Sequence, residues 1–230
     1  MPGVGCRRVL GTVSLWVAVL MLGLVLRKYL VITAIARGTS MLDTVQAGDV
    51  LLAVRPTWLG RATGLTYARG DSWARNDLVL ARLPERMSVG DLRVVKRILG
   101  LPGETVEMRA GQLYVNDHTI DEPYARTDSL RLNGASIAMQ WQIDYVKRPS
   151  MRGFFPTNED WGPIVVPTDK YFLLGDNRQH SQDSREFGFF ASSDLLGRVV
   201  GVLVSHSGDC CTPRRLWRGA RLERTLRRLH

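Results

Sequence analysis

Ser40 stands on a Gly-Thr-Ser-Met turn within RGTSMLDTVQAGDVLLAV, residues 37–54. A serine hydroxyl attacks poorly until a neighbouring base takes its proton. Lys96, in DLRVVKRILGLPGETV, residues 91–106, is the candidate base. If this stretch is a strand, alternation places Val94, Lys96 and Ile98 on one face and Val95, Arg97 and Leu99 on the other. A lysine between two β-branched aliphatics loses part of its hydration, which disfavours the ammonium form and lowers its pKa toward neutrality. The plainer alternative is a lysine that lays its stem over apolar surface and keeps its head in water. Composition bears on the choice. Of 31 basic residues only Lys28, Lys96, Lys147 and Lys170 are lysines. Coding composition can account for that bias, yet the chain keeps a lysine immediately before Arg97, and arginine cannot serve as a base.

A third polar stretch, YFLLGDNRQHSQDSREFGFF, residues 171–190, follows an apolar run that ends in the turn signal Gly175-Asp176-Asn177. Ser181 offers a small hydroxyl able to orient an amine. Asp183 and Arg185, two apart, can pair on one side of an extended segment; the alternative is a solvated polar turn. His118, His180, His206 and His230 are scattered without an HExxH-type pair, and Cys6, Cys210 and Cys211 have no metal-site or scaffold spacing. No metal and no cofactor is expected.

The elements that must position these groups are short. Candidate strands cover 49–54, 78–83, 93–99, 105–108 with 112–115, 170–174 and 198–205, the fourth pair forming a hairpin that turns at Arg109-Ala110-Gly111. No long amphipathic helix interrupts them, which predicts a mostly antiparallel β body rather than βαβ units. Residues 56–76 read as a long loop. Residues 121–168, with Pro123, Pro149, Pro156, Pro163 and Pro167, read as a smaller, irregular subdomain.

Ahead of the body, residues 9–26, VLGTVSLWVAVLMLGLVL, carry no charge. That length is near the lower limit of the roughly 20 residues a spanning helix needs. Ala34-Ile35-Ala36 supplies the small-x-small pattern of a cleavage site, but it lies ten residues beyond the run. The run also exceeds the usual ~7–15 residues of a signal sequence, so an uncleaved anchor is the favoured reading. Arg7 and Arg8 on one side balance Arg27 and Lys28 on the other, so charge does not set orientation. With 45% hydrophobic and 23% charged residues, the chain is neither disordered nor polytopic. Of the net charge of +9, residues 213–230 hold seven Arg against one Glu. No binding motif accompanies them, so nucleic acid is not an expected partner. Leu216, Trp217, Ala220 and Leu226 can share a helical face that would lie on anionic lipid, against the alternative of a solvated tail.

The three polar windows together resemble the type I signal peptidases, serine proteases with a Ser-Lys dyad. TSMLDTVQAGDVLLAV resembles the nucleophile box, which implies Ser40 as the attacking residue. VVKRILGLPGETV resembles the box of the general base and implies Lys96. GDNRQHSQDSREFG is similar to the last signature, implying that Ser181 holds the lysine amine with Asp183 and Arg185 as a supporting ion pair. LYVNDHTIDEPYA and NEDWGPIVVPTDKYFLLGDNR resemble the connecting segments. The resemblance implies a mainly β fold, two small antiparallel β-sheet domains preceded by one N-terminal transmembrane helix. The chain then divides into a cytoplasmic N-terminus 1–8, an anchor 9–26, a catalytic β core of 29–120 and 169–207, an inserted subdomain 121–168 and a basic tail 208–230. The substrates implied are secretory preproteins cut after Ala-x-Ala on the trans side of the bacterial cytoplasmic membrane, with the bilayer itself as a partner. Met41, Val45 and Val95 are expected to line the substrate pocket, and Ser40 and Thr39 to supply oxyanion donors.

Two positions depart from the pattern. Asp43 stands where the family usually has proline, which removes a rigid turn and brings a carboxylate near the site. Gly38 stands where many Gram-negative members have a serine whose hydroxyl completes the oxyanion hole. Two rivals remain in view: a specialised Ser-Lys peptidase that processes a pilin or conjugation protein, and an inactive membrane-tethered binding domain, favoured only by Asp43.

Overall fold

The computed structural model describes residues 4–56, 73–84, 92–127, 136–147, 154–206 and 221–229. Its strands, in chain order, are β1 (Val31–Ile35), β2 (Asp49–Val54), β3 (Leu78–Arg82), β4 (Arg93–Gly100), β5 (Thr105–Arg109), β6 (Gln112–Val115), β7 (His118–Thr119), β8 (Trp161–Val165), β9 (Lys170–Leu174), β10 (Phe190–Ala191), β11 (Leu195–Ser205) and β12 (Arg227–Arg228). Every run predicted as a strand is one. Missed in the sequence are β1, which continues the apolar run, β8, whose Gly162-Pro163 reads as a breaker, and the two-residue strands β7, β10 and β12. The predicted hairpin closes as a two-residue turn, with Ala110 and Gly111 both at positive φ and Arg109 opposite Gln112, the geometry whose twist matches the flanking strands.

All the strand pairs are antiparallel, and they build two sheets. The larger has eight strands in the order β1-β2-β11-β3-β4-β9-β10 with β12 added to β11; the smaller runs β7-β6-β5-β8. Alternation along β4 sorts Val94 and Ile98 into one buried cluster with Val79 and Ala81 and Val95 into another with Met41, Val45 and Leu80, whereas Leu99, expected beside Val95, packs in a third cluster where the register shifts between Ile98 and Gly100. The fold is mainly β, with a large antiparallel sheet and a second small one. Within 121–168 the chain is less irregular than predicted: Ile137–Tyr145 is a 3-10 helix that buries Met139 and Gln142.

The apolar run lies inside α1 (Val4–Leu30), a 27-residue helix. The spanning helix expected over 9–26 is not found in that form, since among the described residues no helix is long and apolar enough to cross a membrane. The described side chains of α1 are those of residues 13–24 and 29–30.

Part of the predicted tail belongs to the body. Residues 221–229 form a 3-10 turn, Leu222–Arg224, followed by β12, and Leu226 has a φ of 59°. No amphipathic helix runs through this stretch, because Arg221 and Arg224 are drawn to a buried carboxylate, Asp49. Leu216, Trp217, Ala220, Cys210 and Cys211 lie outside the described residues.

Candidate active site

Lys96 sits mid-strand in β4 opposite Val79 and is 3% exposed. It does not snorkel. Its Nζ lies 2.7 Å from Ser40 Oγ and 3.2 Å from Ser181 Oγ. Burial is the main influence on the amine and pulls its pKa below the ordinary 10.5 to about 8; Asp183 opposes this, Arg185 assists it, and Asp176 and Glu186 oppose it. Near pH 7.4 such an amine is neutral roughly one fifth of the time, about two hundred times more often than an ordinary lysine, which favours a role as a base.

Ser40 is half-buried on a tight loop between β1 and β2. Leu42 N donates to Thr39 O at 3.0 Å and Val45 N to Met41 O at 2.7 Å, so the loop is wound into turns. Asn177 grips it from outside, its N–H donating to Ser40 O at 3.0 Å and its side-chain amide to Thr39 O at 3.1 Å. Asp43 has a φ of 77°. Proline, held at about −65°, cannot take that conformation, whereas Asp tolerates it. The Asp43 carboxylate turns to Arg126 at 3.6 Å and is largely exposed. At Gly38 an added Cβ would meet nothing within 4 Å.

Ser181 follows the 3-10 turn Arg178–His180 and precedes α2 (Ser184–Phe187). Asp183 and Arg185 do pair, but across a helix N-cap rather than along an extended segment. Asp183 Oδ1 accepts from Arg185 Nε at 2.9 Å and from Arg185 N at 3.2 Å, and Oδ2 accepts from Arg185 Nη2 at 2.9 Å and from Gly175 N at 3.0 Å. Burial alone would raise the Asp183 pKa; Arg185, these hydrogen bonds and Lys96 outweigh it and hold the carboxyl below its ordinary value. Arg185 also donates to Ser181 O and Arg178 O at 3.2 and 2.7 Å, tying down the segment that presents the Ser181 hydroxyl.

Met41, Val45 and Val95 share one apolar cluster with Ala34 and Ala36, beside the nucleophile loop. Two features escaped the sequence reading. Gly175, taken only as a turn signal, has no room for a side chain: a Cβ there would stand 2.1 Å from Ser181 Oγ and 2.6 Å from Ser40 O. Asp176 links Thr44 Oγ1 at 2.6 Å to the guanidinium of Arg97 at 2.7 and 2.9 Å, anchoring the nucleophile loop to the reverse face of β4. A cleft of about 570 Å³ bordered by Asp43, Thr44, Tyr124, Arg126, Arg227 and Leu229 contains neither Ser40 nor Lys96. Among the described residues no cluster of His, Cys, Asp and Glu could hold a metal ion.

A hydroxyl beside a buried, readily deprotonated amine, on an antiparallel β frame, is the arrangement of a base-activated serine hydrolase. Comparison with known proteins narrows this class. The profile of the family described as signal peptidase, peptidase S26, matches residues 9–204. Signal peptidase I S of Bacillus subtilis (strain 168) is 32% identical over 79% of this chain and 81% of its own, and signal peptidase I P of Bacillus subtilis subsp. natto is 31% identical over 83% and 86%. A solved signal peptidase I from Enterococcus faecalis V583 is 30% identical, covering 56% of this chain and 97% of that one with a TM-score of 0.38. The chain belongs to the signal peptidase family, peptidase S26, and is a serine peptidase of the signal peptidase I type.

Proposed function

We propose that Ser40 and Lys96 are the reacting pair of a membrane-anchored endopeptidase that removes signal peptides from exported precursors after Ala-x-Ala. The observation that carries this reading is the 2.7 Å approach of a buried amine, with a pKa of about 8, to a half-buried serine hydroxyl. Neutral Lys96 accepts the Ser40 proton as Oγ attacks the carbonyl carbon of the scissile bond. The Ser40 backbone N–H, with a second donor from Thr39 or a reshaped backbone, receives the developing oxyanion. Protonated Lys96 then passes its proton to the leaving amine, and the mature protein departs from an acyl-enzyme. Water, deprotonated by Lys96, releases the signal peptide and restores Ser40. Ser181 keeps the amine aimed at Oγ, and the Asp183–Arg185 pair keeps Ser181 in place. Ala34 and Ala36, with Met41, Val45 and Val95, line the pockets for the small substrate residues.

The anchor is α1. Its side chains are exposed through 13–24, with Leu15, Trp16 and Leu20 each more than 60% exposed. A helix apolar on all sides is stable only when buried in protein or lipid. The resemblance to the type I signal peptidases puts the N-terminus in the cytoplasm and the β body on the trans side, where the cleavage region of a precursor emerges.

Cleavage of a secretory precursor in detergent micelles by the wild type and by Lys96→Arg, with the new N-terminus sequenced, tests the reading. The expected result is a cut after Ala-x-Ala, with the rate at least roughly 10³-fold lower in Lys96→Arg. Equal cleavage by both removes Lys96 from the chemistry. A wild type that ignores general precursors points instead to a specialised substrate.

A further inference from the structure

Residues 221–229 lie beyond the 9–204 matched by the family profile, and nothing in the mechanism above uses them. They are bound to the body throughout. Arg221 N donates to Ser205 O at 2.8 Å, Leu229 N donates to Val200 O at 3.1 Å, and β12 pairs with β11. The Leu229 side chain is buried in the same cluster as Met41 and Val45.

The two arginines of this segment converge on the loop that leaves the nucleophile. Arg224 Nη2 donates to Thr44 O at 3.0 Å and to Asp49 Oδ2 at 2.8 Å. Arg221 Nη2 donates to Ala47 O at 2.9 Å and to Asp49 Oδ1 at 3.2 Å, and its Nη1 reaches Gln46 Oε1. Asp49 is fully buried and also accepts from Gln46 N at 2.9 Å and from the Ser205 hydroxyl. Thr44 is where two grips meet, since its hydroxyl donates to Asp176 while its carbonyl accepts from Arg224. One hydrogen-bonded turn, Val45 N to Met41 O, separates this point from Ser40.

We propose that Arg224, with Arg221 beside it, is a positioning residue for the nucleophile: the C-terminal strap fixes the Thr44 carbonyl and thereby the stand of Ser40 Oγ against Lys96 Nζ. The inference rests on Ser40 and Lys96 being the reacting pair. A buried carboxylate needs a cation, but neutralising Asp49 does not require a bond to Thr44 O or Ala47 O. Arg224 Nη2, with two N–H groups on one nitrogen, does both at once. A shift of about 1 Å at a reacting atom can cost on the order of 10²-fold in rate, so a loop left to drift at Thr44 registers in turnover.

The test compares the full-length chain as wild type, Arg224→Met, Arg224→Lys and Ser205→Ala on one precursor, reading kcat, KM and melting temperature. Ser205→Ala removes a donor from Asp49 without touching the loop carbonyls. The expected result for Arg224→Met is a kcat about 10- to 100-fold lower with KM within about twofold. Arg224→Lys should restore most of that loss. Ser205→Ala should lower the melting temperature and leave kcat unchanged. Wild-type kcat in folded Arg224→Met, or a kcat in Ser205→Ala that falls in step with its melting temperature, overturns the proposal. If Arg224→Met does not fold, Arg221→Gln decides, because Arg224 still neutralises Asp49: a severalfold lower kcat at unchanged KM supports the strap, and wild-type kcat overturns it. Ser40→Ala runs alongside. Cleavage surviving there overturns the proposed function and this inference with it, whereas loss there with full kcat in Arg224→Met overturns the inference alone.

Discussion

Two cations stand side by side on β4, both buried, and their surroundings differ in kind. Arg97 is held by two hydrogen bonds to Asp176, by a third to Asn76 O at 3.0 Å, and by the ring of Tyr124, 3.7 Å from its guanidinium carbon. Lys96, one residue earlier and on the other face, has two hydroxyl partners. A carboxylate in bidentate contact stabilises positive charge, whereas a dry pocket lined by hydroxyls tolerates the neutral amine better than the ammonium. The strand therefore carries a carboxylate-paired cation on one face and, on the other, an amine whose proton is more easily removed. Adjacent positions suffice because alternation sends them to separate environments.

The largest effect is expected at the structural cation. Asp176→Asn leaves Arg97 buried without its carboxylate and frees Thr44, and urea unfolding should read a loss of about 3–5 kcal/mol. Gly175→Ala attacks the other face. Its methyl would collide with the Ser181 hydroxyl and the Ser40 carbonyl, and kcat/KM should fall on the order of 10²-fold with circular dichroism unchanged. Asp183→Asn sharpens the electrostatic contrast. Asp183 favours the ammonium form of Lys96 against burial, so its neutralisation should move the acid limb of the kcat/KM profile below about 8, while weakened hold on Gly175 and Arg185 lowers the plateau. A limb that moves up would contradict the assignment. Asp43→Asn is expected to do least. Its carboxylate is exposed and faces Arg126, so kcat/KM should stay within about twofold and the limb should not move.

That Ser40 and Lys96 meet was legible because their windows, together with 171–190, resemble family motifs; strand alternation alone left a solvent-reaching lysine open. What surrounds the pair was not. Arg97 and Asp176 are 79 residues apart, and Asp49 lies more than 170 from Arg221 and Arg224; composition shows the charges but not which buried partner each finds. Gly175 looked like any turn glycine, since the need for close approach appears only once Ser181 and Ser40 O are in space. The arginine-rich end suggested a separate tail for the same reason. β8 was hidden by Gly162-Pro163, residues that ordinarily punctuate strands.

Lys96 can serve as a base only if its pKa lies well below the ordinary lysine value. With only four lysines in the chain, their side chains can be labelled and titrated one by one by NMR in detergent micelles. One signal should titrate at about 8, as burial of Lys96 requires, and should vanish in Lys96→Met. Four lysines all titrating near 10.5 would contradict the account.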